Sequence, residues 1–464
     1  MSVYQRRLFV SLLLIFSMEA KSQYAKNILI LYSDDQSYNT IHSLGNNVIK
    51  TPNLDKLVSE GLTFTQAHVM GGHQGAVCIP SRAMLMTGRY VTRIPGDGGT
   101  IPDSLISLPE VLQTKGYTTF HTGKWHSDKA SHNRMFNAGD NIFFGGMHFG
   151  DKGGQEHPTV YHYDKSGTYP STDMMRKDTF SSTLYAETAI RFLQSAEAKE
   201  KPFLCYVAFT SPHDPRTPPE KFRKMYEPSQ IKLPENFMKI HPFDNGDMNV
   251  RDEMLLGKPR NADSVKREIA LYYGMISELD EQVGRIIVAL EKAGLRESTL
   301  IVFAGDNGLA VGQHGLLGKQ NLYEHSIRVP MIMAGPGIPK NVRTDNFTYL
   351  SDINPTIYDY LHISKPSTVE ALSLMPTIKN PKAKTRNLIY NVYGNWSRSL
   401  KTADGFKLIV YNVKGEKHTQ LFNLKKDPWE IHDLSEDKVY QNKIISMKNI
   451  LRKEMKDKHD IELW

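Results

Sequence analysis

Asn27-Ile28-Leu29-Ile30-Leu31-Tyr32-Ser33, followed at once by Asp34-Asp35, is the stretch whose reading decides the fold. The run is nearly continuous in apolar residues and does not alternate, as expected of a strand covered on both faces in a parallel sheet. It ends on two carboxylates, at the edge of the sheet where ligands of open α/β folds gather. The same pattern recurs along the chain. Helices are predicted over 52–59, 107–115, 176–197 and 264–293, and strands over 62–68, 117–122, 203–209, 299–304 and 329–333. Alternating strands and helices imply an α/β domain: a large, mainly parallel sheet sandwiched by helices.

Beyond residue 375 the pattern changes. Short strands over 388–392, 398–402, 406–411 and 419–423, then a Lys- and Glu-rich helix over 438–457, predict a small C-terminal α+β subdomain of antiparallel strands and one helix. The expected division is a catalytic domain at 23–374 and this subdomain at 375–464. Segments 127–175 and 211–262 are rich in Gly, Pro, His and Asp with weak periodicity, and long loops of that kind usually carry function. The net charge of +7 over 464 residues is modest. No basic run interleaves with aromatics, so nucleic acid is not an expected partner. Arg6-Arg7, the apolar run Leu8 to Met18, and Ala20-Lys21-Ser22 have the layout of a secretory signal cleaved after residue 22. That run is too short to span a bilayer and no other is longer, so a periplasmic or secreted protein without a membrane span is expected. Two cysteines do not make a disulfide scaffold.

The chemistry centres on Cys78-Ile79-Pro80-Ser81-Arg82, which opens a helix that Thr87-Gly88-Arg89 closes. Cys78 has two plain readings, a buried small hydrophobe or half of a disulfide with Cys205. A phosphatase-type Cys-x5-Arg loop is excluded, because position 84 is Met84. Asp34-Asp35 and Asp306-Asn307-Gly308 each follow a predicted strand. Adjacent carboxylates either cap a helix or repel one another until a cation joins them. Hard oxygen donors suit Ca²⁺ or Mg²⁺ rather than zinc. Lys124-Trp125-His126, Pro212-His213-Asp214 and Gly318-Lys319 lie past strands or in Gly-rich turns. With Arg82, they would form a pocket for a compact oxyanion. His73, Gln74, Asp97, Asp214, Arg216 and His314 are expected near its rim.

These residues resemble one family closely, the type I sulfatases of the alkaline-phosphatase superfamily. Cys78-x-Pro80-Ser81-Arg82 with Leu85, Thr87, Gly88 and Arg89 is similar to the family's first signature, and Gly116-Tyr117-Thr118-Thr119 through Gly123-Lys124-Trp125-His126 to its second. Asp34-Asp35, Pro212-His213, Asp306-Asn307-Gly308 through Lys319, and Leu322 to Gly337 follow in the family's order. Leu421-Phe422-Asn423-Leu424 with Asp427-Pro428-Trp429-Glu430 resembles the end of its small domain. Ile79 is bulkier than the usual residue after the cysteine, and Thr122 replaces a small or apolar one; neither changes a functional side chain.

The resemblance implies an alkaline-phosphatase-like fold and a sulfuric ester hydrolase. It implies that a maturation enzyme oxidises Cys78 to formylglycine, whose hydrate supplies the nucleophile and then collapses to expel sulfate. It assigns a Ca²⁺ (or Mg²⁺) ion to Asp34, Asp35, Asp306, Asn307 and residue 78. Arg82 orients residue 78, Lys124 and Lys319 bind sulfate, His213 is the general acid and His126 the general base. The expected substrate is a sulfated saccharide from a glycosaminoglycan, mucin or algal glycan, contacted by Lys124, His213, Lys319, His314 and Arg216. Three alternatives stay open: an arylsulfatase, a phosphonate or phosphodiester hydrolase on the same fold, and a sulfoglycan-binding protein if Cys78 is never converted.

Overall fold

The computed structural model describes residues 26–461 and 463; the expected signal sequence lies outside them. Eight strands form the large sheet, in the order Val342–Thr344, Leu62–Phe64, Met331–Ala334, Thr299–Gly305, Asn27–Ser33, Phe203–Ala208, Thr118–Lys124 and Ala138–Phe143. Met331–Ala334 runs antiparallel to both neighbours. The other pairings are parallel. Every residue of Asn27–Ser33 is buried. Leu29 and Leu31 enter a core shared with the helices Ser181–Gln194 and Ala262–Lys292, while Ile28, Ile30 and Tyr32 enter one shared with the helices Cys78–Thr87 and Ile353–Tyr360. Alternate side chains of a strand point to opposite faces, and here both faces are covered by helices, so both sets must be apolar.

The second sheet runs Glu416–Asn423, Phe406–Val413, Ser397–Thr402, Leu388–Tyr393 and Gly71–Gly72. Its four C-terminal strands pair antiparallel, as predicted. The helix Gln441–Asp457 buries Ile444, Met447, Leu451 and Met455, one stripe at helical spacing. The fifth strand comes from the other end of the chain: Gly71 and Gly72 pair in parallel with Val392 and Tyr393. Gly71 has φ +102°, and a Cβ there would lie 1.9 Å from the Val392 carbonyl oxygen, so only glycine fits.

Three expectations change. The strand predicted over 62–68 is two strands in two sheets, Leu62–Phe64 and Ala67–His68, the latter paired with Thr348–Tyr349. The helix predicted over 176–197 begins at Ser181 and breaks at Ser195, whose hydroxyl caps a second helix, Ala196–Glu200, by accepting from Ala198 N–H. Segment 127–175 holds a helix, Lys129–Met135, and the edge strand Ala138–Phe143. That strand reads Ala-Gly-Asp-Asn-Ile-Phe, too polar for the apolar pattern to register.

Candidate active site

The site lies at the carboxyl ends of the central strands. Ser33 is in register with Gly305, so Asp34 and Asp306 emerge side by side. The Asp306 Oδ1 accepts backbone N–H groups from Asp35 (3.0 Å) and Asn307 (2.8 Å), and Asn307 Nδ2 donates to Asp35 Oδ1 at 2.7 Å. One carboxylate thus fixes the turns that present the others.

Cys78 opens the helix Cys78–Thr87, which stops at Gly88 in the left-handed conformation (φ +65°). Its Sγ lies 3.2 Å from His126 Nδ1, 3.4 Å from Lys124 Nζ and 3.9 Å from Lys319 Nζ. Arg82, one turn on and on the same face, donates from Nε and Nη2 to Asp306 Oδ2 (3.1 and 2.8 Å) and from Nη1 to the Lys124 carbonyl (2.9 Å). Lys124 Nζ donates to Asp34 Oδ2 at 2.6 Å and Lys319 Nζ to Asp35 Oδ1 at 2.7 Å. Lys124 reaches the site because Gly123 (φ +97°) crosses strand Phe203–Ala208 closely: a Cβ there would lie 1.9 Å from Ala208 O.

His213 Nε2 lies 3.5 Å from Asp35 Oδ2, and its Nδ1 lies 2.9 Å from the Asp214 carbonyl and 3.2 Å from Asp214 Oδ1. Arg251 grips the Asp214 carboxylate with both Nη atoms, at 2.6 and 2.9 Å. No motif marks Arg251; it comes from the long weakly periodic segment 211–262, whose only signal was its composition.

Two expected rim residues are placed elsewhere. His314 turns inward at φ +53°, stacks on Tyr323 at 3.9 Å and lies 2.9 Å from the Glu430 carbonyl, so its ring is committed to the packing beneath the small sheet. Arg216 pairs with Glu268 at 2.8 Å over the Tyr272 ring, behind Asp214. Both side chains are buried. Cys78 and Cys205 are both free and buried, so no disulfide joins them.

The electrostatics divide the titratable groups. Burial works against ionising Asp34, but Lys124, then His213 and Arg82, override it and hold the carboxyl far below its usual range. Burial, then the charge of Asp34, pushes Asp306 up to about 7 despite Arg82. Burial and the neighbouring Lys124 keep His126 neutral, well below the usual imidazole value. His213 moves the other way: burial opposes its protonation, and the Asp35 carboxylate, with Asp214, overrides it. Burial raises the Cys78 thiol, and Lys124 and Lys319 only partly offset it. A thiol so held is a poor thiolate nucleophile.

The donor set fits a hard divalent cation. Asp34, Cys78 and Asp306 offer ligand atoms within 4.8 Å of one another. Asp34 Oδ1 and Asn307 Oδ1 are buried without a hydrogen-bond partner among the described residues. Buried oxygens are rarely left unpaired, and carboxyl, carboxamide and no imidazole donors suit Ca²⁺ or Mg²⁺.

A cluster that joins buried carboxylates to two lysines and two histidines at the strand ends of this sheet suits chemistry on a small oxyanion ester. The sequence narrows the class: the chain belongs to the sulfatase family, whose profile matches residues 26–363, and it is a sulfuric ester hydrolase. A second profile, N-sulphoglucosamine sulphohydrolase, C-terminal, matches residues 312–457. The chain is 29% identical to an arylsulfatase of Clostridium perfringens, over 94% of this chain and 95% of that one. It is 24% identical to an N-acetylglucosamine-6-O-sulfatase of Bacteroides thetaiotaomicron, over 94% and 87%. A protein solved in complex with its substrate D-glucosamine-2-N,6-O-disulfate shares the alkaline-phosphatase-like sulfatase fold, with a TM-score of 0.78 and 21% identity over 94% of this chain and 98% of that one.

Proposed function

We propose that this enzyme removes sulfate from a sulfated carbohydrate in the periplasm or outside the cell, once a maturation enzyme has converted Cys78 to formylglycine and with Ca²⁺ bound. One observation carries the reading: a buried cysteine, unsuited to act as a thiolate, sits within 3.2–3.9 Å of one imidazole and two ammonium groups. A side chain in that position is surrounded as a reacting group is. Formylglycine supplies, as its hydrate, an oxygen nucleophile and a means of expelling sulfate by breaking a C–O bond. Ca²⁺, held by Asp34, Asp35, Asp306, Asn307 and residue 78, would lower the pKa of a bound hydroxyl and polarise the sulfate.

The chain's own groups do the rest. Lys124 and Lys319 bind sulfate oxygens and offset the charge that develops on them. His126, kept neutral, accepts a proton from residue 78. His213, its proton favoured by Asp35 and Asp214, donates to the leaving alkoxide. Arg82 holds the first turn of the nucleophile helix against Asp306 and the Lys124 carbonyl. The relative named N-acetylglucosamine-6-O-sulfatase supports a sugar substrate.

The test is sulfate release from sulfated saccharides, beside matched aryl sulfate and aryl phosphate esters, with the mass of the tryptic peptide spanning residue 78. Saccharide desulfation with residue 78 as aldehyde supports the proposal. An unmodified cysteine in active protein from the native host, or kcat/KM higher for the phosphate than for the sulfate, overturns it.

A further inference from the structure

To serve as an acid, His213 must aim one ring nitrogen at the leaving oxygen, and the chain holds its ring by the other. The backbone beneath is pinned: Gln155 Nε2 donates to His213 O at 3.1 Å, and His213 N–H donates to Thr210 O at 3.1 Å. The side-chain torsions remain. Nδ1 faces two acceptors, the Asp214 carbonyl at 2.9 Å and Asp214 Oδ1 at 3.2 Å, so it carries a proton and donates to them. Nε2 is thereby turned toward the reaction centre, where Asp35 Oδ2 lies 3.5 Å away. Of the two acceptors, the carboxylate has torsions of its own and is only as well placed as whatever holds it.

Arg251 holds it. Nη1 donates to Asp214 Oδ2 at 2.6 Å and Nη2 to Oδ1 at 2.9 Å, a two-point grip that fixes a carboxylate in plane as well as in position. The oxygen that meets His213 is one of the two so gripped. Arg251 is itself 43% exposed, and a long side chain half in solvent keeps its rotamer freedom unless something restrains it. The restraint comes from its neighbours in sequence. Nη2 also donates to Asp252 Oδ1 at 2.8 Å, and Asp252 Oδ2 accepts from Gln320 Nε2 at 2.8 Å. Gln320 follows Lys319 and donates as well to Gly75 O, at 3.0 Å. Glu253 Oε1 accepts the N–H groups of Leu317 and Gly318 at 3.0 and 2.9 Å. Three consecutive residues, Arg251-Asp252-Glu253, are thus moored to the loop that carries Lys319, and Arg251 reaches from there to Asp214.

Resting on His213 as the general acid, we propose that Arg251 is its positioning residue: by fixing the Asp214 carboxylate it keeps the His213 ring turned with Nε2 on the leaving oxygen, and it acts on the reaction only through that ring. The test measures kcat and KM for wild type, Arg251→Met, His213→Ala and the double variant. The substrates are aryl sulfates from 4-nitrophenyl to 4-methoxyphenyl, and N-acetylglucosamine 6-sulfate. Substrates are compared within each variant, so the fraction of chains converted at residue 78 cancels. Nitrophenolate needs little help from an acid on departure; 4-methoxyphenolate needs more, and a sugar alkoxide most. Arg251→Met should therefore lose about 10- to 100-fold more kcat on the poorest leaving group than on 4-nitrophenyl sulfate, the scale of a misaimed proton donor, with KM little moved. In the His213→Ala background the same substitution should cost nothing further. An equal loss on every ester, no loss on any, or a loss that persists without His213 overturns the proposal alone, provided His213→Ala still discriminates between leaving groups. A rise in KM confined to the sugar sulfate would make Arg251 a substrate contact and overturns it as well. A His213→Ala variant indifferent to the leaving group overturns the acid and the proposal together.

Discussion

Replacing Arg82 by Met tests the electrostatic frame of the site. The guanidinium is 1% exposed and its nearest carboxylate, Asp306, is fully buried, with two contacts between them at 2.8 and 3.1 Å. Removing one partner of such a pair leaves a buried carboxyl that must either stay charged without compensation or take up a proton, at a cost of up to about 3–5 kcal/mol. A chain of 464 residues has an unfolding entropy near 1 kcal/mol/K at about 2.1 cal/mol/K per residue. The expected fall in Tm is therefore up to about 3–5 °C, measured by calorimetry on protein stripped of divalent ions. With Ca²⁺ present the loss should shrink, because a cation at Asp34 and Asp306 takes over part of the compensation. The measurement does not depend on conversion of Cys78. A variant within about 1 °C of wild type in chelator, far below the buried-pair cost, would refute the claim that Arg82 neutralises Asp306.

Four further outcomes are expected. His213→Ala should lose far more rate on a sugar sulfate than on an activated aryl sulfate, whose leaving group needs no proton; equal losses would argue against His213 as the acid. Chelation of wild type should lower both Tm and sulfate release, with both restored by Ca²⁺; indifference of Tm to Ca²⁺ counts against the carboxylate cluster as its site. Gly123→Ala, which drives a methyl into Ala208 O, should yield insoluble or strongly destabilised protein; a folded, fully active variant would show that the two strands can part without moving Lys124. Asp460 and Asp97 overcome burial and raise His73 to about 9, above its unfolded value of about 6.5. Its stabilising contribution is then complete below pH 6.5 and disappears as pH rises through 9. Thermal melts of wild type and His73→Gln should converge across that window, and a constant gap would contradict the assignment.

Much of the site was legible because its chemistry sits on short, strongly patterned segments. Asp34 and Asp306 follow buried apolar strands and Lys124 ends a buried one, and strand ends of a parallel sheet converge on one rim. His213 and Lys319 were found by the same rule. His314 was misread by it: a polar residue in a Gly-rich turn says nothing of which way the turn faces, and a left-handed φ sends the ring onto Tyr323. Arg251 was missed because its contact with Asp214 depends on how an irregular loop folds back. The edge strand Ala138–Phe143 was missed because an edge need bury only part of its surface. The pairing of Gly71-Gly72 with Val392-Tyr393 left no trace at all, since two glycines have no periodicity to read.

That last pairing also sets a timetable. The carbonyl of Val69 accepts from Asn391 Nδ2, a partner 322 residues downstream. At ribosomal rates of about 5–20 residues per second, the approach to Cys78 waits roughly 16–60 s for that partner to be made. Throughout that interval Gly72, which packs against Pro80, lacks its partner strand, and under the conversion proposed above the pentapeptide 78–82 would be open to a maturation enzyme then. Under the conversion of Cys78 proposed above, the small C-terminal sheet would close the maturation window. Chains truncated before residue 388 should keep residue 78 open to conversion far longer than full-length ones, as pulse-labelling would reveal.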